Sequence, residues 1–263
     1  MSGKRGTMAD EVIISGDDDH VVQVRFNRPA KKNAITTAMY DAMAGALEAA
    51  EHDLSVRVVL FLGGAGCFTA GNDLNDFRER PPSDAASPAF RFIKALARAT
   101  VPLIAAVDGV AIGIGTTMLL HCDVVLASDQ ARFQMPFVNL GLVPEAGSTY
   151  LLPKLLGHAR AADLVLRAKP FDAATALALG FVTEICPAAE IEATAHAIAR
   201  DIAAKPPAAM RRTKALLKSD RAAVETRIDA EVAEYAERLA SAELKEAVAA
   251  FLEKREPNFS ARD

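Results

Sequence analysis

The chain has 263 residues, 51% hydrophobic and 24% charged, with 30 basic against 34 acidic side chains and a net charge of −4. These figures fit a globular protein with a sizeable core and exclude the strongly basic footprint of a nucleic-acid binder. Cys67, Cys122 and Cys186 are widely spaced and odd in number, which excludes a disulfide frame and a C-x-x-C zinc site and points to the cytoplasm.

The start, Met1 to Met8, lacks the apolar core of a signal peptide and reads as a short loose tail. Glu11–Ser15 and Val21–Phe26 are expected as strands joined by the polar turn Gly16–His20. Thr36–Asp53 is an amphipathic helix with Thr36 or Thr37 as N-cap and Met39, Met43 and Leu47 at fourfold spacing. Val56–Leu62 is a strand-like apolar run, broken by Gly63-Gly-Ala-Gly66. Arg80–Pro88, rich in Pro, Ser and Asp, is expected as a loop before the helix Ala89–Ala99.

Val101 to Leu120 is long and apolar enough to suggest a membrane span, but Asp108, three glycines and the His121-Cys-Asp123 exit favour buried strand, turn and helix. Leu103–Val107 and Val124–Ala127 are expected as strands flanking a helix that starts near Gly115. This order predicts crossover units with mostly parallel pairing. Ser148–Leu156, Ala159–Leu166 and Ala173–Leu179 follow as helices, then a strand at Phe181–Ile185. The final third is helical: Ile191–Ala204, Ala208–Leu217, Ala222–Leu239 and Glu243–Lys254. Ile228, Val232 and Leu239, then Leu244, Val248, Phe251 and Leu252, give narrow apolar faces that suit another subunit or this chain's own core.

Three places carry chemistry. Phe68-Thr-Ala-Gly-Asn-Asp-Leu74 and Gly109-Val-Ala-Ile-Gly-Ile-Gly115 each close an apolar run and open a helix, and such turns present backbone N–H groups without internal partners. Leu140-Gly-Leu-Val-Pro-Glu-Ala-Gly-Ser-Thr149 places one carboxylate, Glu145, in an apolar turn. A carboxylate facing two backbone donors suits proton abstraction beside a carbonyl whose oxygen becomes an anion. Asp73 is most economically an N-cap. Gly113-Ile-Gly115-Thr-Thr-Met118 fails as a dinucleotide fingerprint at Met118, and His121-Cys-Asp123 reads as helix-end burial ahead of a metal site.

These residues resemble the crotonase superfamily of enoyl-CoA hydratases and isomerases. The resemblance runs through Phe26-Asn-Arg-Pro-Ala-Lys-Lys-Asn-Ala-Ile35, the two glycine turns, Phe133-Gln-Met-Pro136, Leu140-Gly-Leu-Val-Pro144 and Phe251-Leu-Glu-Lys-Arg255. It implies an α/β fold: a ββα spiral core over residues 9–204 and a helical region over 205–263 that assembles trimers, often paired as hexamers. It implies an acyl-CoA thioester substrate bound along Ala30, Lys31, Lys32 and Ala70, Gly71, Asn72, Asp73, Leu74. The N–H groups of Ala70 and Ile114 would form the oxyanion hole, with Ile114 standing where glycine is typical. No metal, nicotinamide, flavin, nucleic acid or membrane is implied, coenzyme A being part of the substrate. Hydratases of this family carry two glutamates at positions held here by Thr117 and Phe137. The pattern is similar instead to the delta-3,delta-2-enoyl-CoA isomerase branch, which places its base at Glu145. Enoyl-CoA hydration and a non-catalytic acyl-CoA-binding scaffold are the alternatives.

Overall fold

The computed structural model describes residues 11–260 except 18, 83 and 85, so the expected N-terminal tail and the side chains of Phe251 and Leu252 lie outside the described residues. The chain opens with strands β1 (Val12–Gly16) and β2 (Val21–Phe26), helix α1 (Thr37–His52), strand β3 (Val58–Leu62), and helices α2 (Leu74–Glu79) and α3 (Pro88–Arg98). Next come β4 (Leu103–Val107), β5 (Val110–Ile112), the single turn α4 (Ile114–Thr117), β6 (Val124–Ser128) and β7 (Arg132–Gln134). Helices α5 (Ser148–Leu156) and α6 (His158–Arg167), strand β8 (Phe171–Asp172), helix α7 (Ala173–Ala178) and strand β9 (Glu184–Cys186) follow. Helices α8 (Ile191–Ala203), α9 (Pro207–Leu217), α10 (Arg221–Leu239) and α11 (Ala242–Glu253) complete the order.

One sheet has the order β1-β2-β3-β4-β6-β9, antiparallel only at β1–β2; a smaller one has the order β5-β7-β8. The parallel centre is covered on both faces, as its unbroken apolar runs require. Val58, Leu60 and Leu62 point toward α8, where Ile191, Ala195 and Ala199 form a flat helical stripe. Val59 and Phe61 point the other way, into a cluster with Met39, Met43 and Leu47 of α1 and Phe92 and Leu96 of α3. Thr36 caps α1, accepting the Met39 amide at 3.3 Å. Val224, Ile228, Val232 and Tyr235 of α10 and Leu244 of α11 join this same cluster, so these apolar faces pack on the chain's own core. Among the described residues, no helix is long and apolar enough to cross a membrane.

Two expectations need correction. The helix near Gly115 is only one turn, followed by a 3-10 turn from Met118 to His121, because Asp123 must already cap Leu103 N–H at 2.8 Å. The strand expected at Phe181–Ile185 begins at Glu184. Phe181 and Val182 are buried, but their amides close the end of α7 on Ala176 O, beside left-handed Gly180. Strands β5, β7 and β8 are too short to leave a periodic signal.

Candidate active site

The two glycine turns lie side by side. Thr69 N–H donates to Val110 O and Ile112 N–H to Thr69 O, each at 3.0 Å, which aligns Thr69–Leu74 with Val110–Gly115. Glycine is required where they touch. A Cβ on Gly71, which has φ +85°, would stand 2.7 Å from Ile112 O, and one on Gly115 would stand 2.5 Å from the Thr69 methyl. Glu145 joins this pair through Thr117, whose hydroxyl donates to Oε1 at 2.5 Å. The three sequence features meet at one site.

The expectation for Ala70 is overturned. Its N–H already donates to Lys32 O at 2.9 Å, on the side away from β5. Ile35 N–H donates to Gly71 O and Asp73 N–H to Ile35 O, as in a parallel bridge centred on Asn72. In such a bridge the central residue turns its own N–H to the opposite side. Asn72 N–H therefore faces the Val110–Gly115 turn, and it donates to no described group. Ile114 N–H is the first amide of α4 and has no carbonyl in its own helix to bond.

Glu145 is 5% exposed, and its pKa is pushed up to about 8. Burial is the main cause; the Thr117 bond opposes it and the charge of Glu231 adds to it. Oε2 accepts from none of the described groups. The turn behind Glu145 is strained, with Ala146 at φ +63° and Gly147 at +67°, and neighbours hold it in place. His121 Nε2 lies 2.7 Å from Ala146 O, with the ring kept neutral by burial down to about pH 3. This partner commits His121 to the turn. Glu231 of α10 accepts Gly147 N–H at 2.6 Å, Thr149 N–H at 2.9 Å and the Thr149 hydroxyl at 2.6 Å.

Two tyrosines, both buried, complete the surroundings. Tyr40 donates to Asn72 Oδ1 at 2.5 Å, and Tyr235 of α10 bonds the same amide. Burial, reinforced by the nearby Glu145 charge, drives both phenols upward and keeps them neutral. A cavity of about 370 Å³ is lined by Ile35, Tyr40, Asn72, Phe77, Pro88 and Ala89 among others. Glu145 is not among the residues that line it, but its charge acts on Tyr40, which is.

The other expected binding residues fall into two groups. Ala30 and Lys31 lie in the 3-10 turn Pro29–Lys31, and Lys32 follows in left-handed conformation; all three are exposed. Asp73 caps α2 through Asn75 and Asp76 N–H and pairs with Arg28 at 2.8 Å. Burial pushes its carboxyl up, but Arg28 and the amides outweigh this and hold it below the usual range. Leu74 is the first residue of α2. Sequence reasoning missed Tyr40, Arg28, Glu231 and Tyr235. For the last two, the sequence shows an acid and an aromatic spaced i,i+4 beside the apolar stripe of α10, which does not report what they meet.

The enoyl-CoA hydratase/isomerase family model matches residues 16–262. The 1,2-epoxyphenylacetyl-CoA isomerase of Escherichia coli K12 is 35% identical over 96% of this chain and 99% of its own length. The 2,3-dehydroadipyl-CoA hydratase of the same organism is 34% identical over 96% and 99%. Human enoyl-CoA delta isomerase 2 is 36% identical over 79% of this chain, which spans only 54% of that relative. Among solved structures, an enoyl-CoA hydratase/isomerase from Pseudoalteromonas atlantica T6c superposes with a TM-score of 0.91 at 42% identity, covering 95% of this chain and all of that one. The chain thus belongs to the enoyl-CoA hydratase/isomerase family, crotonase-fold enzymes acting on CoA thioesters.

Proposed function

We propose that the protein is a delta-3,delta-2-enoyl-CoA isomerase in which Glu145 removes the substrate's alpha proton and returns it at the gamma carbon. The observation that carries this reading is the state of the carboxylates. Glu145 has one oxygen with no described partner and a pKa near 8, suited to taking and returning a proton near neutral pH. Both oxygens of Glu231 are occupied by the Gly147 and Thr149 donors. Thr117 and Phe137 cannot ionise. A double-bond shift needs one shuttle, and one is available.

The amides of Asn72 and Ile114 are the proposed oxyanion donors. The thioester acidifies the alpha C–H, and loss of one such donor typically costs ~3–4 kcal/mol of barrier, so the reaction as proposed calls for no metal or redox cofactor. Ala30–Lys32 and Gly71–Leu74 are the proposed CoA-binding stretches. Leu216 and Leu217 of α9 are 78% and 80% exposed, and they support assembly as a trimer or hexamer.

Hydration is the second reading, favoured by the similarity to the dehydroadipyl-CoA hydratase. Purified protein incubated with 3-enoyl-CoA and, separately, with 2-enoyl-CoA separates the readings. Isomerisation of the first with slow hydration of the second is expected. Rapid hydration without isomerisation would overturn the proposal, and inactivity on both would leave an acyl-CoA-binding scaffold.

A further inference from the structure

Thr117 stands where the hydratases of this family carry an acid, yet its side chain is completely buried and aimed at the remaining acid. Its hydroxyl has one hydrogen and two acceptors in reach: Glu145 Oε1 at 2.5 Å and Gly113 O at 3.3 Å. Gly113 O already accepts the Thr116 amide at 2.9 Å and the Thr117 amide at 3.0 Å, which fills the two lone pairs of a carbonyl. The hydroxyl hydrogen therefore belongs to Oε1. A proton placed on Oε1 would have to turn it toward the saturated carbonyl. A proton placed on Oε2 leaves the bond in place, since the oxygen of a carboxylic C=O still accepts.

We propose that Thr117 is a positioning residue for the proton shuttle, fixing Glu145 Oε1 as a permanent acceptor and reserving Oε2 as the oxygen that takes and returns the substrate proton. In the first half-reaction the alpha C–H breaks, its electron pair enters the enolate and Oε2–H forms. In the second, Oε2–H breaks, the gamma carbon takes the proton and the enolate pair returns to restore the carbonyl. No other reactant is consumed. The inference rests on the isomerase reading.

The groups facing Glu145 are Tyr40 from α1, Glu231 and Tyr235 from α10, and neutral His121 behind Ala146. The electrostatic effect of Glu231 opposes that of Thr117 on Glu145, and the other three groups are uncharged. Removing the Thr117 hydroxyl leaves the upward influences on the base unbalanced.

The test uses full-length Thr117→Val, which keeps the shape, with Thr117→Ser as the conservative rescue. For Thr117→Val, kcat on 3-enoyl-CoA is expected to fall about 10–100-fold with little change in KM. The rise of kcat/KM with pH moves to higher pH, and turnover in D2O gives more deuterium at the gamma carbon, since either oxygen now carries the proton. Thr117→Ser should restore all three. Wild-type kcat, pH profile and proton retention in Thr117→Val would overturn the inference, as would equal losses in the serine variant. If Thr117→Val does not fold, Thr117→Ala is read in the same way. Glu145→Gln separates the levels: full isomerase turnover in that variant sinks the isomerase reading itself, whereas an inactive Glu145→Gln beside an unaffected Thr117→Val sinks only this inference.

Discussion

The turn carrying Glu145 and the loop from Arg80 to Pro88 are built on opposite plans. Residues 145–149 are held by side chains from remote parts of the chain: Thr117 on the carboxylate, His121 on a carbonyl, and Glu231 on two amides and a hydroxyl. Around the loop, the described hydrogen bonds are local, such as Ala86 N–H and the Ser87 hydroxyl to Asp84, and the Arg80 amide to Asp76. The fixed turn holds the proposed proton-transfer group, where small misplacement would cost much of the rate. The loop borders the 370 Å³ cavity that Tyr40 and Asn72 also line, where the acyl group of the proposed substrate would vary without disturbing the proposed base.

The largest expected effect comes from emptying the fixed turn of its proposed proton carrier. Glu145→Gln should lower kcat by ~100–10,000-fold while acyl-CoA affinity, measured by calorimetry, stays close to wild type. The same variant probes the cost of burying the group. Its folded pKa of about 8 lies above the ordinary 4.5, so the folded state holds the extra proton between those values. The resulting stabilisation is fully present below about pH 4.5 and is lost as pH rises through about 8. Denaturant unfolding should therefore show Glu145→Gln gaining roughly 2–4 kcal/mol over wild type at pH 9, with the difference shrinking toward pH 5. In the wild type, kcat/KM should rise as pH approaches 8. A pH-independent stability difference would show that Glu145 is not buried in solution as described.

Removing the support beneath the turn should do less to the rate and more to the fold. Glu231→Gln keeps the size of the side chain but puts an NH2 group, which cannot accept, where one carboxylate oxygen took an N–H, and leaves the remaining bonds without charge assistance. A loss of roughly 2–3 kcal/mol in stability is expected, with kcat down about tenfold and KM little changed. Because the Glu231 charge also raises the Glu145 pKa, the residual activity should reach its plateau at lower pH. Lost stability with wild-type kcat and an unmoved pH profile would reduce Glu231 to a plain helix cap.

How much of this was legible in the sequence follows from the range of each interaction. Helix α5 begins at Ser148 and α1 is capped by Thr36, both as expected, because capping and apolar spacing are local. Glu145 stood out because it is the only acid in its apolar turn, and the Phe68–Leu74 turn because it closes an apolar run and opens a helix. Glu231 meets Gly147 across 84 residues, and no local pattern reports such a pairing. Tyr40 and Tyr235 were hidden for the same reason, since each looks like an ordinary core aromatic until Asn72 brings them together. The choice between Ala70 and Asn72 as donor depends on which side of the ladder each amide faces. That is a matter of register, set by Lys32 and Ile35, and the motif Ala-Gly-Asn-Asp contains both residues without distinguishing them.

The smallest expected effect lies on the adaptable side of the comparison. Ala89 stands in the first turn of α3 and lines the cavity, with its side chain partly buried. Ala89→Leu would fill part of that space, whose wall includes neither Glu145 nor Thr117. Each methylene of a substrate that can no longer be buried forfeits ~0.8 kcal/mol, or about fourfold in kcat/KM. Across straight-chain 3-enoyl-CoA substrates, the short ones should therefore react as in the wild type, while the longer ones lose about fourfold per excluded methylene, mostly through KM. Ala89 packs against the core from a partly buried position, so a stability loss of roughly 1 kcal/mol is expected from the larger side chain. A uniform loss at every chain length would place the acyl group elsewhere and make the cavity irrelevant to selectivity. A length-dependent loss would assign selectivity to the α2–α3 edge of the cavity and leave proton transfer to the clamped turn.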